Sequence, residues 1–186
     1  GGVGAIFFGE NALTTLTAGI EIYNRFAGSL AYLALVQGNT ETFVLSGNDP
    51  ASFAVLPLSR NIGNPAPLTL TTMEVAYSVA EDAQRNVAMW LSYEGPMLSD
   101  ASVIVPIKGL EPYFDPNDTR YINTSAIINA RAWFDQEHQE WNVLFPSGAG
   151  QTLCNVWWVL DLRRQAWYEK VPVAYLQAAL TVEDIT

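Results

Sequence analysis

The chain has 186 residues, a net charge of −10, 49% apolar residues and only 15% charged ones. That length suits a single domain with a sizeable buried core, and the composition excludes a disordered chain. The acidic balance excludes a protein that grips nucleic acid through its phosphates, which requires clustered Lys and Arg. The one adjacent basic pair is Arg163-Arg164. So sparse a charge points to surface buried against partners or inside a two-sided core. A single cysteine, Cys154, and a single histidine, His138, rule out an internal disulfide and a zinc site of the usual kind. No apolar run reaches the roughly 18 residues of a membrane-crossing helix. The glycine-rich start has no basic flank and is not a signal peptide. The chain begins with Gly rather than Met, so a piece of a longer protein is expected.

In chain order, residues 1–12 read as a stray strand from a neighbouring unit. Leu16, Ala18, Ile20 and Ile22 share one face of an alternating pattern, with the strand densest over 20–26. Gly28-Ser29 turns the chain. Residues 29–36 are apolar on both faces, as in a strand buried within a stack; the run's length and flanking glycines favour strand over helix. Gln37-Gly38-Asn39-Thr40 forms a hairpin turn, 42–45 the partner strand, 46–50 a break, and 53–58 a third short strand. Residues 59–67, with two prolines and a glycine, admit no regular structure. Then come a strand region at 68–79, an acidic turn at 80–84, a strand at 86–93, a short outer strand at 102–107 and one helical turn within 108–114. A third unit opens with 127–134, turns at 135–139, and continues through strands at 140–145, 156–160 and 166–170. Asp161-Leu162-Arg163-Arg164-Gln165 is the polar turn between the last two. The tail at 174–180 reads as a short helix.

Three inner strands, 30–36, 87–93 and 141–145, can be set in register and recur at about 55 residues, slightly long for a propeller blade of about 40–50. Each is followed by a partner strand and an outer strand, at 53–58, 102–107 and 166–170. The expected fold is all-β: antiparallel four-stranded blade-like repeats forming a partial β-propeller, with a β-sandwich as the alternative. The units span about 13–59, 68–108 and 126–172. Three blades do not close a ring, a second reason to expect a larger chain or assembly.

The chemistry-bearing residues are few. No phosphate-binding loop and no nucleophile elbow occur. Cys154 opens a predicted strand and reads as a buried, inert thiol. His138 lies at a hairpin tip and reads as solvated rather than as a member of a triad. Asp135, Glu137 and Glu140 cluster with Trp133 and Trp141; carboxylates beside aromatics serve sugar hydrolysis, but an acidic hairpin tip with tryptophans packed between units is the preferred reading. Asp115, Asn117 and Asp118 fall short of a calcium loop's spacing and lack its glycine and closing Glu. No catalytic, cofactor-binding or metal-ligating residue is assigned, and no enzyme is expected.

Several stretches resemble the blades of β-propeller repeats in phage and prophage virion proteins, including nozzle or hub subunits of short-tailed phages. Ser46-Gly47-Asn48-Asp49-Pro50-Ala51-Ser52-Phe53 is similar to their turn-then-aromatic step between third and fourth strands. Leu58-Ser59-Arg60-Asn61-Ile62-Gly63 resembles the linker between blades, and Val87-Ala88-Met89-Trp90-Leu91-Ser92 the inner strand. Residues 103–114 resemble the following strand and helical turn, and 155–167 the last hairpin. The resemblance implies a structural component of a phage tail or portal-proximal assembly. Its setting is the virion, and its partners are other virion proteins: tail, adaptor or portal. It implies a homo-oligomeric ring whose channel passes the genome without specific binding, no membrane insertion, and no catalytic residues. The acidic balance fits a conduit to which DNA does not adhere. The alternatives are a carbohydrate-binding or carbohydrate-cleaving domain of a tail fibre, favoured by an exposed Trp133 or Trp141 beside Asp135, and a generic protein–protein interaction β-domain.

Overall fold

The computed structural model describes residues 6, 8, 15–26, 29–47, 52–76 and 84–171. Expectations for most of 1–12, for the turns around 28, 48–50 and 80–83, and for the tail at 174–180 lie outside the described residues. The protein is all-β. Its first sheet holds β1 (Leu16–Phe26), β2 (Ser29–Gly38), β3 (Thr42–Ser46) and β4 (Ala54–Ser59). The second holds β5 (Thr71–Ala76), β6 (Gln84–Ser92), β7 (Gly95–Ser99) and β8 (Ile104–Pro106). The third holds β9 (Arg131–Asp135), β10 (Glu140–Phe145), β11 (Val156–Asp161) and β12 (Ala166–Lys170). Each is a four-stranded antiparallel meander with neighbours in chain order. The outer strands β4 and β8 carry Pro57 and Pro106, residues that an edge strand tolerates, and the inner strand β7 admits Pro96 only at its second residue, beside the turn.

The strands expected to be inner are the second of each sheet: β2, β6 and β10. The strands that join one sheet to the next are the first ones. β1 packs against β5 and β6, and β5 packs against β9. A second strand is paired on both edges and buried on both faces, so it gives the strongest apolar signal wherever it sits in the stack. Other boundaries also moved. Residues 124–129 wind into a 3-10 helix before β9 begins at Arg131, because the Asn123 side chain accepts from Ser125 N. Pro67, the last residue of the stretch expected to be irregular, opens a 3-10 helix, Pro67–Thr69, where the next strand region was expected to begin, and β5 starts only at Thr71. Thr69 Oγ1 and N both donate to Ala66 O there. The expected helical turn at 108–114 is a 3-10 helix, Glu111–Phe114. β8 starts later than expected because Asp100 Oδ1 accepts from Ser102 N and Val103 N and holds that stretch in a turn.

Alternation along β6 builds both cores. Ala88 and Trp90 point to the first sheet, against Ile22, Leu35 and Val44, with Met97 of β7 beside them. Val87, Met89 and Leu91 point to the third sheet, against Trp141, Val143 and Phe145. Burying each large apolar side chain contributes about 1.5–3 kcal/mol. Polar ties orient the layers. Trp90 Nε1 donates to Gly63 O at 3.0 Å, and Tyr23 N donates to Asn86 Oδ1 at 3.2 Å. Trp141 Nε1 donates to Thr71 Oγ1 at 3.0 Å, and Trp167 Nε1 to Lys108 O at 2.7 Å.

The link from first to second sheet is stitched to the end of the first. Asn64 N donates to Gly38 O at 2.7 Å, Thr42 Oγ1 to Ile62 O at 2.7 Å, and Thr17 Oγ1 to Asn64 O at 2.8 Å. Gly63 sits so close that an added Cβ would lie 2.3 Å from Gly38 O and 2.5 Å from the backbone nitrogens of Thr40 and Glu41. These are main-chain atoms, which cannot swing aside. Gly63→Ala is therefore expected to destabilise the protein by roughly 1–3 kcal/mol, the range of an overpacked core, as read from the urea midpoint. An unchanged midpoint would show that the stitch is not tight.

Candidate functional site

Two regions concentrate functional side chains. One is the carboxylate row on the third sheet. The register pairs Asp135 with Glu140 and Glu140 with Asp161, so three acids stand side by side on one face. Like charges directly opposite repel, and each here has its own compensation. Asp135 accepts from His138 N at 3.1 Å and lies 2.9 Å from His138 Nδ1. Glu140 accepts from the Tyr168 hydroxyl and lies 3.6 Å from Lys170 Nζ. Asp161 accepts from Arg163 N at 2.9 Å and Arg164 N at 3.0 Å, and pairs with the Arg164 guanidinium at 3.1 Å.

Asp135 and Asp161 therefore do the same work. Each closes a hairpin by accepting backbone N–H groups, and each turn ends in a glutamine with left-handed backbone, Gln139 at φ 57° and Gln165 at φ 54°. The two turns share the pattern Asp-x-x-x-Gln-x-Trp: Asp135, Gln139, Trp141 and Asp161, Gln165, Trp167. Sequence reading passed over that internal repeat.

The cluster expected from sequence is split by the strand. Trp133 lies on the same face as Asp135 and Glu140, turned away from the second sheet, its ring 5.5 Å from that of Trp157. Trp141 lies on the opposite face, fully buried between sheets, so it offers no platform beside the acids. Trp157 Nε1 donates to Asn142 Oδ1, and Lys170 Nζ sits 5.2 Å above the Trp157 ring. Glu137 lends its backbone carbonyl to the Arg163 guanidinium. Partial burial pushes the Asp135 carboxyl up, but hydrogen bonds from the His138 backbone and ring outweigh it and hold the group below its ordinary value. That is the wrong direction for the general acid of a glycosidase. Burial and the hydrogen bond to Glu140 push the Tyr168 hydroxyl up to about 12.

The other chemistry-bearing residues are likewise engaged. Asp118 grips the Arg120 guanidinium through both oxygens, which lowers its carboxyl to about 2. Asp115 accepts from Asn117 N and Nδ2. Among the described residues no group of three or more acids, histidines or cysteines is placed to hold a metal ion. Cys154 is buried, its thiol pushed up to about 11 by that burial and donating to Asn129 O at 3.2 Å.

The second region is a cap at one end of the sheets, which sequence reading treated as loops. The connection from β8 to β9 lies against the connection from β10 to β11. Ile122 bridges Ser147, Asn123 N donates to Pro146 O, and Gly148 N donates to Tyr121 O. Ser147 Oγ donates to Arg120 O at 2.6 Å, and Asn123 Nδ2 to Gln151 O at 2.6 Å. Tyr113 anchors the cap in the core, its ring edge-on to Phe145 at 5.3 Å and to Trp158 at 6.1 Å. Between this cap and the β6–β7 turn runs an open cleft of about 670 Å³, lined by Tyr93, Glu94, Phe114, Tyr121, Thr124 and Ser125. That volume falls within the usual range of ligand sites. The cleft shares no residue with the carboxylate row.

No protein-family model matches the chain, and no curated protein is similar enough to count as a relative.

Two outcomes follow from the hairpins. A left-handed residue other than glycine is strained by about 1–2 kcal/mol, so Gln165→Gly is expected to stabilise the protein by about 0.5–1 kcal/mol after the glycine's own entropy cost, read as a raised urea midpoint. The Asp135–His138 pair sets a pH dependence. His138 gains a partner on folding and its pKa rises, so its contribution is full below the ordinary value of 6.5 and is lost as pH climbs through the raised one. The lowered Asp135 carboxyl contributes above its ordinary 3.8 and stops contributing as pH falls through the lowered value. His138→Gln should thus lower the urea midpoint at about pH 5.5, with the gap closing by about pH 8.5; an equal gap at both would rule out a charge-dependent pair.

Proposed function

We propose that the chain is a non-catalytic structural unit of a larger ring, of the kind that β-propeller-like subunits form in phage tails. The observation that carries this reading is the mode of stacking. Successive meanders meet through their first strands, β1 to β5 and β5 to β9, and the middle sheet is buried on both faces. A stack built by one rule can be extended by the same rule at either end, as blades are added around an axis. The sites in hand serve architecture: the acids close hairpins, and the indole N–H groups tie sheets together. The net charge of −10 suits a wall past which DNA moves without sticking.

The reading has a direct test. Native mass measurement should give a species several times the chain's 20.4 kDa, and electron microscopy of the intact particle should place it in a ring at the tail. A lone monomer under particle-like conditions sinks the idea. The charge argument is tested separately: duplex DNA should not be retained by the protein even at about 0.05 M salt, where counterion release favours binding most.

A further inference from the structure

We propose that the cleft beneath the cap receives an arginine or lysine side chain carried on an extended segment of a partner protein. The cleft is a built feature rather than a gap between loose loops. Its cap side is fixed by the Asn123 N–Pro146 O and Gly148 N–Tyr121 O hydrogen bonds and by the Asn123 side chain, which spans to Gln151 O. Its turn side is fixed by Ser92 Oγ, which donates to Gly95 O at 2.9 Å and accepts from Glu94 N at 3.0 Å. Phe114 is held from behind, its ring 6.3 Å from that of Phe145. A site whose walls are already placed loses little freedom when occupied.

The lining specifies the occupant. Tyr93, Phe114 and Tyr121 supply three aromatic rings, and Tyr93 is 40% exposed. Glu94 supplies a carboxylate, and no cation lines the cleft. Among the described residues no ion pair engages the Glu94 carboxylate. Arg120, the neighbour of the lining residue Tyr121, is held by Asp118 and lies over the Tyr113 ring instead. An apolar occupant would desolvate Glu94 without compensation. A cation satisfies both features, since ring faces attract it and the carboxylate pairs with it. Thr124 and Ser125 at the rim offer hydroxyls to the backbone of the segment that carries it. The chain's overall acidity draws such a segment in, but the rings are what make this spot differ from the rest of the surface.

The test is an NMR titration of the ¹⁵N-labelled protein with two capped tripeptides, acetyl-Gly-Arg-Gly-amide and its citrulline counterpart, which has the same shape without the charge. The arginine peptide is expected to shift Tyr93, Glu94 and Ser125 saturably, with a Kd on the order of 1 mM, and the citrulline peptide to bind at least tenfold more weakly. Glu94→Gln should weaken the arginine peptide about tenfold, and Tyr93→Ser, which leaves the charge in place, several-fold. Spectra unchanged away from the cleft show that both variants are folded. Equal binding of the two peptides, shifts confined to other acidic surfaces, or full affinity retained in both variants would each overturn the proposal. The outcome is independent of whether the protein belongs to a ring.

Discussion

The double-sided burial of β6 is the constraint on which the rest of this structure depends. One strand sends Ala88 and Trp90 into the core shared with the first sheet and Val87, Met89 and Leu91 into the core shared with the third. Successive strand side chains take opposite faces, so a slip of one residue would exchange the two sets. Trp90 would then face the space occupied by Trp141, and the small Ala88 would leave a void. The register of this one strand is therefore fixed from both sides at once. The two neighbouring sheets are in turn positioned by the volumes that β6 presents to them.

Apolar burial holds the sheets together without saying how they are oriented. Orientation comes from a few polar ties, each made by a group that would be costly to bury alone. Three of them are indole N–H groups, of Trp90, Trp141 and Trp167, donating to Gly63 O, Thr71 Oγ1 and Lys108 O. Tryptophan suits this role because its large apolar body fills the interface while one directional donor selects a partner. Three of the chain's six tryptophans are used in this way.

What the sequence disclosed follows the same physics. The second strands were legible because pairing on both edges and burial on both faces leave an unbroken apolar run. The outer strands were legible by the turns that set them off. The first strands were harder: β5 and β9 are short, and each follows a 3-10 helix whose apolar residues, such as Leu68 and Ile127, blurred the strand's start. The carboxylate cluster at 135–140 was visible as composition, but alternation moves Trp141 to the other face, and the register that brings in Asp161 is not a local property. The paired Asp-x-x-x-Gln-x-Trp turns were in plain view; glutamine is an unusual occupant of a left-handed position, so the pattern did not stand out as glycine or asparagine would have. The cap cleft was not legible at all, since it is assembled from segments about twenty to thirty residues apart in sequence, and no local pattern records that they meet.

The two indole ties of the third sheet have a mechanical consequence. Trp141 sits on its second strand and reaches Thr71 at the start of β5; Trp167 sits on its fourth and reaches Lys108, in the connection just past the end of β8. A board fastened at one point can pivot; fastened at two separated points it cannot. Between the first and second sheets the hydrogen-bonded ties are those of Tyr23, on β1, to Asn86 and Glu74 and that of Trp90 to Gly63 in the link, while toward the outer strands Leu58 and Ile104 pack on the shared core by apolar contact. Pulled apart, the molecule would open first at the outer rim of the first sheet, where apolar contact rather than these ties joins it to the second.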